Sequence, residues 1–406
     1  MNILYINVSD IQGGAAIGGY RLHRALQEKG IQSRMLVDVG KINNNDISII
    51  NRKRTLEYLT SKVTWNLGLS YINITSTFNI TEHPFYKKAD LINFHCLHGG
   101  YFNYLAIPKL TRDKPGVYRL SDMWSFTGHC AYSFDCERWK IGCGKCPYLD
   151  TYPAIPRDNT KLEFRLKKWV YNHSNLTIVT SSQWLTEKAR ESMLNHFNIK
   201  YIPNGIDTEI YKPLNKIQCR NVLDIPQNKN VILLVAQNLT NYRKGGDILL
   251  NSINNLPESL KKETILITMG ESGEVFKDSI GMSILNLGYI GGDRLKAVAY
   301  NAADLFLFPT RAESFGLVLL ESMACGTPMV SFNVGGVPDL VRHDVTGYLA
   351  KPEDAQDFCN GIIQLLEDDT LRNQISQNCR AIALQEYPIE LQAKRYIELY
   401  EEILAN

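Results

Sequence analysis

Two glutamates eight positions apart, Glu313 and Glu321, bracket the stretch Ser314-Phe315-Gly316-Leu317. The apolar run from Ala303 to Phe308 reads as a buried strand, closed by Pro309-Thr310, and helical spacing resumes from Leu317 to Met323. Glu313 is thus placed on a strand-to-helix loop and Glu321 inside the helix. The backbone N–H groups of Phe315, Gly316 and Leu317 fall at the helix start, where amides lack intrahelical partners and suit a phosphate. Carboxylates that accept hydroxyl hydrogen bonds, flanking a phosphate-binding helix start, point to a sugar attached to a diphosphate. A second set with chemical potential is Cys130, Cys136, Cys143 and Cys146, spaced C-x5-C-x6-C-x2-C. Four thiols at this spacing favour a tetrahedral structural zinc. Disulfides, a redox CxxC and unligated buried thiols are the competing readings.

The elements that must hold these groups alternate along the chain. Ile3–Val8, Gln32–Val37, Leu91–His95, Val117–Leu120, Leu176–Thr180 and Lys200–Ile202 read as strands in the first half, with helices at Tyr20–Lys29 and Gln183–Asn195. The pattern restarts with strands at Val231–Ala236, Thr264–Met269, Ser283–Leu287, Asp304–Phe308 and Pro328–Phe332. Helices at Asp247–Ile253, Arg294–Asn301, Leu317–Ala324 and Ala355–Leu366 separate them. Apolar strands separated by helices predict an α/β chain of two doubly wound, Rossmann-like parallel sheets facing a cleft. The turn-rich Pro203-Asn204-Gly205-Ile206-Asp207 marks the crossing. The expected domains are 1–203, with a Cys-rich module at 124–150, then 204–385, and a C-terminal helix at 386–406 packing back on the first domain.

The chain has 406 residues, 44% hydrophobic and 21% charged, with a formal net charge of +2. That balance speaks against a dedicated nucleic-acid binder. No apolar run approaches the roughly 18–20 residues that span a bilayer, and the N-terminus lacks the basic region of a signal peptide. The expected location is the cytoplasm. The segment from Asn51 to Lys88 mixes Trp65, Leu67, Leu69, Tyr71, Ile72 and Phe78 with Lys and Arg. It admits two readings: a helix and loop packed on the sheet, or a patch making peripheral contact with the inner face of a membrane.

Glu313 to Glu321 matches the E-x7-E signature of family 4 retaining glycosyltransferases, which adopt the GT-B fold. Arg243-Lys244-Gly245 resembles the family's basic diphosphate clamp, Met269-Gly270 its glycine after a strand, and Leu287-Gly288-Tyr289 its nucleobase-contacting turn. Gly326-Thr327-Pro328, Gly335-Gly336-Val337-Pro338 and Gly347-Tyr348-Leu349 continue the likeness. Gly13-Gly14-Ala15 sits where the family keeps a glycine-rich loop near the donor phosphates. The Cys-rich module resembles an insertion in some bacterial surface-polysaccharide glycosyltransferases.

The resemblance implies roles residue by residue. Lys244 and Arg243 neutralise the diphosphate leaving group; Ser314, Phe315, Gly316 and Leu317 surround the distal phosphate and sugar. Glu313 holds donor-sugar hydroxyls and Glu321 the ribose hydroxyls. Two positions depart from the pattern: Asn238 stands where many members have an arginine, and Ser121 where many have a histidine. His95, His98 and His129 are nearby candidates for the missing group, and Asp122 for acceptor contact or general base work. The implied activity moves a hexose from a UDP- or GDP-linked donor to a saccharide or lipid-linked saccharide hydroxyl, with retention and no catalytic metal, in bacterial polysaccharide assembly. A nucleotide-sugar epimerase and a non-catalytic sugar-nucleotide-binding protein are the alternatives on the same fold.

Overall fold

The computed structural model describes residues 1–236, 238–270 and 280–405. The chain forms two compact units, Met1–Gly205 together with the chain from Ile389 onward, and Ile206–Pro388.

The first unit is built on seven parallel strands: β1 (Asn2–Ser9), β2 (Gln32–Val39), β3 (Ile47–Ile49), β4 (Leu91–His95), β5 (Gly116–Arg119), β6 (Leu176–Thr180) and β7 (Ile199–Tyr201). Their order is β3-β2-β1-β4-β5-β6-β7, so the chain winds outward from β1 in both directions. In register, Tyr5 of β1 stands between Met35 of β2 and Asn93 of β4. The final helix, Ile389–Ala405, covers one face of this sheet through Ala393, Tyr396 and Tyr400, all buried. The hydroxyls of Tyr5 and Tyr400 meet at 3.0 Å, and the Asn93 amide also donates to the Tyr400 oxygen. A buried hydroxyl needs such a partner to offset its desolvation.

Six parallel strands form the second unit: β8 (Asn230–Val235), β9 (Thr264–Met269), β10 (Ser283–Asn286), β11 (Leu305–Phe308), β12 (Met329–Phe332) and β13 (Gly347–Ala350), in the order β10-β9-β8-β11-β12-β13. The central strands are continuous apolar runs because helices cover both faces. Ile232, Leu233, Leu305, Phe306 and Leu307 are all fully buried. Each such side chain contributes roughly 1.5–3 kcal/mol of transfer free energy. The expected pair of Rossmann-like parallel sheets is therefore what the chain builds.

Two edge strands, β3 and β13, lie outside the expected set. Ile-Ser-Ile and Gly-Tyr-Leu-Ala are too short to register as apolar runs. Thr160–Asn172 is a helix that no apolar period announces, since its inward face carries Glu163 and Lys167, both fully buried. Lys167 donates to the carbonyls of Trp124 (2.7 Å) and Thr127 (3.1 Å) and lies 3.7 Å above the Trp124 ring. Glu163 accepts from the Ser70 amide (2.6 Å) and the Tyr104 hydroxyl (2.9 Å).

Candidate active site

In the second unit, strand β11 ends at Phe308 and the helix Leu317–Ala324 begins nine residues later; Glu313 lies on the loop between. Arg243 and Lys244 come from a short 3-10 turn, Tyr242–Lys244, that follows β8. Two parallel neighbours, β8 and β11, thus deliver both sequences to the same carboxyl end of the sheet, where open α/β folds bind ligands.

Glu313 Oε2 accepts from Arg243 Nη1 at 3.2 Å and from Lys244 Nζ at 3.5 Å. Its other oxygen, Oε1, takes the amide of Ser314 at 3.1 Å. Burial works to raise this carboxyl, but Lys244, Arg243 and the Ser314 amide outweigh it and hold Glu313 below the usual carboxylate range. Lys244 moves the other way. Burial beside the Phe308 ring, 5.5 Å away, lowers it more than the Glu313 charge raises it. Two cations against one carboxylate leave the cluster with an excess positive charge, the electrostatics a diphosphate requires.

Backbone geometry fixes the cluster. Gly245 has φ +66, and a Cβ there would lie 1.8 Å from the Pro309 carbonyl oxygen. Only glycine lets the clamp turn approach the end of β11 so closely. Thr310 Oγ1 donates to the Arg243 carbonyl (3.1 Å), as does the Arg311 amide (2.8 Å). The Arg311 guanidinium reaches Asp247 and Glu353, each at 2.7 Å, and stacks on Tyr242 with 4.0 Å to the ring centroid. Arg311 carries no expected role; its signal was its place, two residues before Glu313.

Glu321 lies in the helix, nearly fully buried, with the Tyr300 hydroxyl donating to Oε2 at 3.2 Å. Tyr300 is a partner that no motif announced. Gly316 precedes the helix in a left-handed conformation (φ 87), and no side chain caps it. The Leu317 and Val318 amides, ahead of the Leu319 amide that donates to the Gly316 carbonyl (3.0 Å), lie at the helix start, where intrahelical acceptors are lacking. Ser314 and Phe315 are buried. Gly270 and Gly288 are joined by an amide-to-carbonyl bond of 2.8 Å, and Tyr289 beside them is 70% exposed. Asn238 lies on the loop between β8 and the turn Tyr242–Lys244. Its side-chain oxygen accepts from the Thr240 amide (2.8 Å) and hydroxyl (2.7 Å), closing a local turn.

Residues 12–210 match the model of Glycosyltransferase Family 4, and residues 215–382 match that of Glycosyl transferases group 1. The chain is a GT-B glycosyltransferase. It is 24% identical to the putative colanic acid biosynthesis glycosyl transferase WcaC of Escherichia coli K12, over 99% of this chain and 100% of that one. Among solved structures it resembles sucrose-phosphate synthase from Thermosynechococcus elongatus (TM-score 0.72, 19% identity, 100% and 99% of the two chains). It also resembles Anabaena HepE in complex with UDP and glucose (TM-score 0.70, 18% identity, 99% and 100%).

The other residues expected at the site belong to the first unit of this glycosyltransferase. Gly13 follows β1 with φ 90 and caps the helix Gly14–Glu28; Gly13 and Gly14 are exposed and Ala15 half-buried. Asp122 follows β5. Its Oδ2 pairs with His98 Nε2 at 2.7 Å and its Oδ1 accepts the Trp124 amide at 2.9 Å. Burial would push the His98 imidazole down, but Cys96 and Asp122 together hold it well above the ordinary histidine value. The Tyr152 hydroxyl meets the other ring nitrogen of His98 at 3.3 Å. Ser121 bonds Arg119 instead, at 3.2 Å, and His95 is fully buried within the sheet.

The zinc expected at Cys130, Cys136, Cys143 and Cys146 is not supported. Among the described residues no group of three or more His, Cys, Asp or Glu could hold a metal ion. The four thiols are free, so disulfides are not formed either. The sulfurs have other engagements: Cys143 Sγ accepts the Gly128 amide (3.2 Å), and Cys146 Sγ faces His129 Nε2 (3.4 Å). Burial pushes the Cys130 thiol up to about 12 and Cys143 to about 11. Hydrogen bonds hold the segment: the Thr127 hydroxyl to the Cys130 carbonyl (2.6 Å), and the Cys146 amide to Asp158 (2.8 Å).

Proposed function

We propose that this glycosyltransferase moves a hexose from a UDP- or GDP-linked donor to a saccharide hydroxyl, with retention at the anomeric carbon, during bacterial polysaccharide assembly. The observation that carries the reading is the contact of Glu313 with both Arg243 and Lys244, beside the start of the helix Leu317–Ala324. In the reaction, the bond between the anomeric carbon and the phosphate oxygen breaks and the diphosphate leaves with the electron pair. Arg243, Lys244 and the helix-terminal amides meet that charge where it develops. Glu313, held ionised, accepts hydrogen bonds from donor-sugar hydroxyls, and buried Glu321 from the ribose. The acceptor hydroxyl attacks from the face the diphosphate vacates and passes its proton to a departing phosphate oxygen. Asp122, oriented by His98, is the carboxylate assigned to the acceptor.

The fold shared with HepE, whose structure holds UDP and glucose, supports the donor class. The full-length likeness to a putative colanic acid glycosyl transferase supports the polysaccharide setting. The test is a thermal-shift screen against UDP- and GDP-hexoses, followed by NMR of the product anomer with a saccharide acceptor. A ligand that binds only the folded state raises the melting temperature. A rise with one nucleotide class and an axial-to-axial product are expected. No shift with any donor, or an inverted product, would overturn the proposal.

A further inference from the structure

The helix Arg54–Asn66 in the first unit is turned inside out. In a helix on a soluble protein the apolar stripe faces the core and the polar face meets water. Here the single buried residue is Glu57, and Thr60, Ser61 and Thr64 share its side of the helix, half-buried. Glu57 is held there by Arg52 (2.8 Å) and by the Ser76 amide (2.9 Å). The outward side carries Leu56 (50% exposed), Tyr58 (63%), Leu59 (59%), Val63 (61%) and Trp65 (52%). Leaving five large apolar side chains in water on one short helix is costly unless something covers them.

The charges on that side share one sign. Lys53, Arg54 and Lys62 are exposed, and the helix's one carboxylate, Glu57, is the buried residue. Arg54 shares Asp38 with Arg52, while Lys62 Nζ lies 5.3 Å over the Tyr58 ring. A neighbouring helix repeats the composition. Thr160–Asn172 buries Glu163 and exposes Lys161, Leu162, Arg165, Lys168 and Trp169. The two segments are joined by Asn159 Nδ2 to the Leu67 carbonyl (3.0 Å) and by the Ser70 amide to Glu163 (2.6 Å).

We propose that Arg54–Asn66 is a docking surface for an anionic lipid bilayer, lying in the headgroup plane with Leu56, Leu59 and Val63 inserted. Tyr and Trp flanking an aliphatic stripe, with lysines beside them, are the side chains that favour the membrane–water interface. Charge decides against a second copy of the chain as the occupant, because a two-fold contact would set Lys53 and Lys62 against the same cations. No helix among the described residues is long and apolar enough to cross a membrane, so the contact is one of lying on the surface.

The test is co-sedimentation of the full chain with vesicles of phosphatidylcholine alone and of phosphatidylcholine mixed with phosphatidylglycerol. Binding to the mixed vesicles is expected, weakening as salt rises, with much less on phosphatidylcholine alone. The double variant Leu59→Gln, Val63→Gln should bind on the order of tenfold less. Lys62→Gln should lose about fivefold. These side chains are exposed, so melting temperature and nucleoside diphosphate affinity should match wild type in both variants. Wild type that fails to bind the mixed vesicles, or variants that bind as well as wild type, would overturn the proposal. So would a wild-type dimer in light scattering that the double variant splits. Nucleotide binding is read on the same preparations, so its absence would count against the donor site alone.

Discussion

The carbonyl oxygen of Glu313 occupies the space where a side chain on Gly335 would begin. A Cβ at Gly335 would stand 2.1 Å from that oxygen, and its φ of +53 already favours glycine. The next amide, Gly336, donates to the same carbonyl at 2.9 Å. The loop after β12 therefore clamps the backbone of Glu313 while Arg243 and Lys244 hold its side chain.

Gly335→Ala should disturb both fold and site. The left-handed backbone and the clash with main chain together should cost at least about 2 kcal/mol. Urea denaturation measures this directly, and a loss below half that figure would show that the loop relaxes without holding Glu313.

Nucleoside diphosphate affinity should fall with rising pH earlier than an ordinary lysine allows. Burial holds Lys244 below the ordinary lysine value, so it loses its proton, and its attraction for phosphate, before an exposed lysine would. Calorimetric titrations from neutral pH upward check this. Lys244→Arg should abolish the decline, and a wild-type affinity that stays flat to pH ~10 would remove Lys244 from the phosphate contacts.

The His98–Asp122 pair, shifted in the other direction, makes a prediction about stability. His98 is raised above the ordinary histidine value of 6.5, so the folded state binds its proton more tightly than the unfolded chain does. The resulting stabilisation is fully present below pH 6.5 and is lost as pH rises through the higher folded value. Wild type minus His98→Gln, compared by urea denaturation across pH, should show its largest difference at acid pH and shrink toward alkaline pH. A difference that grows with pH would mean that His98 is held neutral.

Much of this was legible in the sequence where one physical signal dominated. Thr264–Met269 is buried on both faces, and its apolar run has the same bounds as β9. Leu317–Ala324 likewise keeps its expected limits. The helix Gly14–Glu28 starts well before Tyr20 because Gly14-Ala-Ala-Ile-Gly-Gly offers small residues with no apolar period. Charged side chains turned inward, Glu163 and Lys167, disguised the helix Thr160–Asn172. Partnerships across the chain were the least readable: Asp122 finds His98 across 24 positions, and Glu321 finds Tyr300 across 21. In the Cys-rich segment the spacing did not translate into a ligand set, since no metal-holding group forms among the described residues and the sulfurs of Cys143 and Cys146 take separate partners.

The central claim is that Arg243, Lys244 and Glu313 form the diphosphate end of a sugar-nucleotide site. Isothermal calorimetry of UDP and GDP against wild type and Lys244→Ala, at one fixed salt concentration, tests it most directly. Wild type should bind one of the two at a single site, and Lys244→Ala should weaken that binding by about tenfold or more through loss of a charge-assisted contact. Wild type that binds neither nucleotide, or a correctly folded Lys244→Ala that binds as tightly as wild type, would contradict the account.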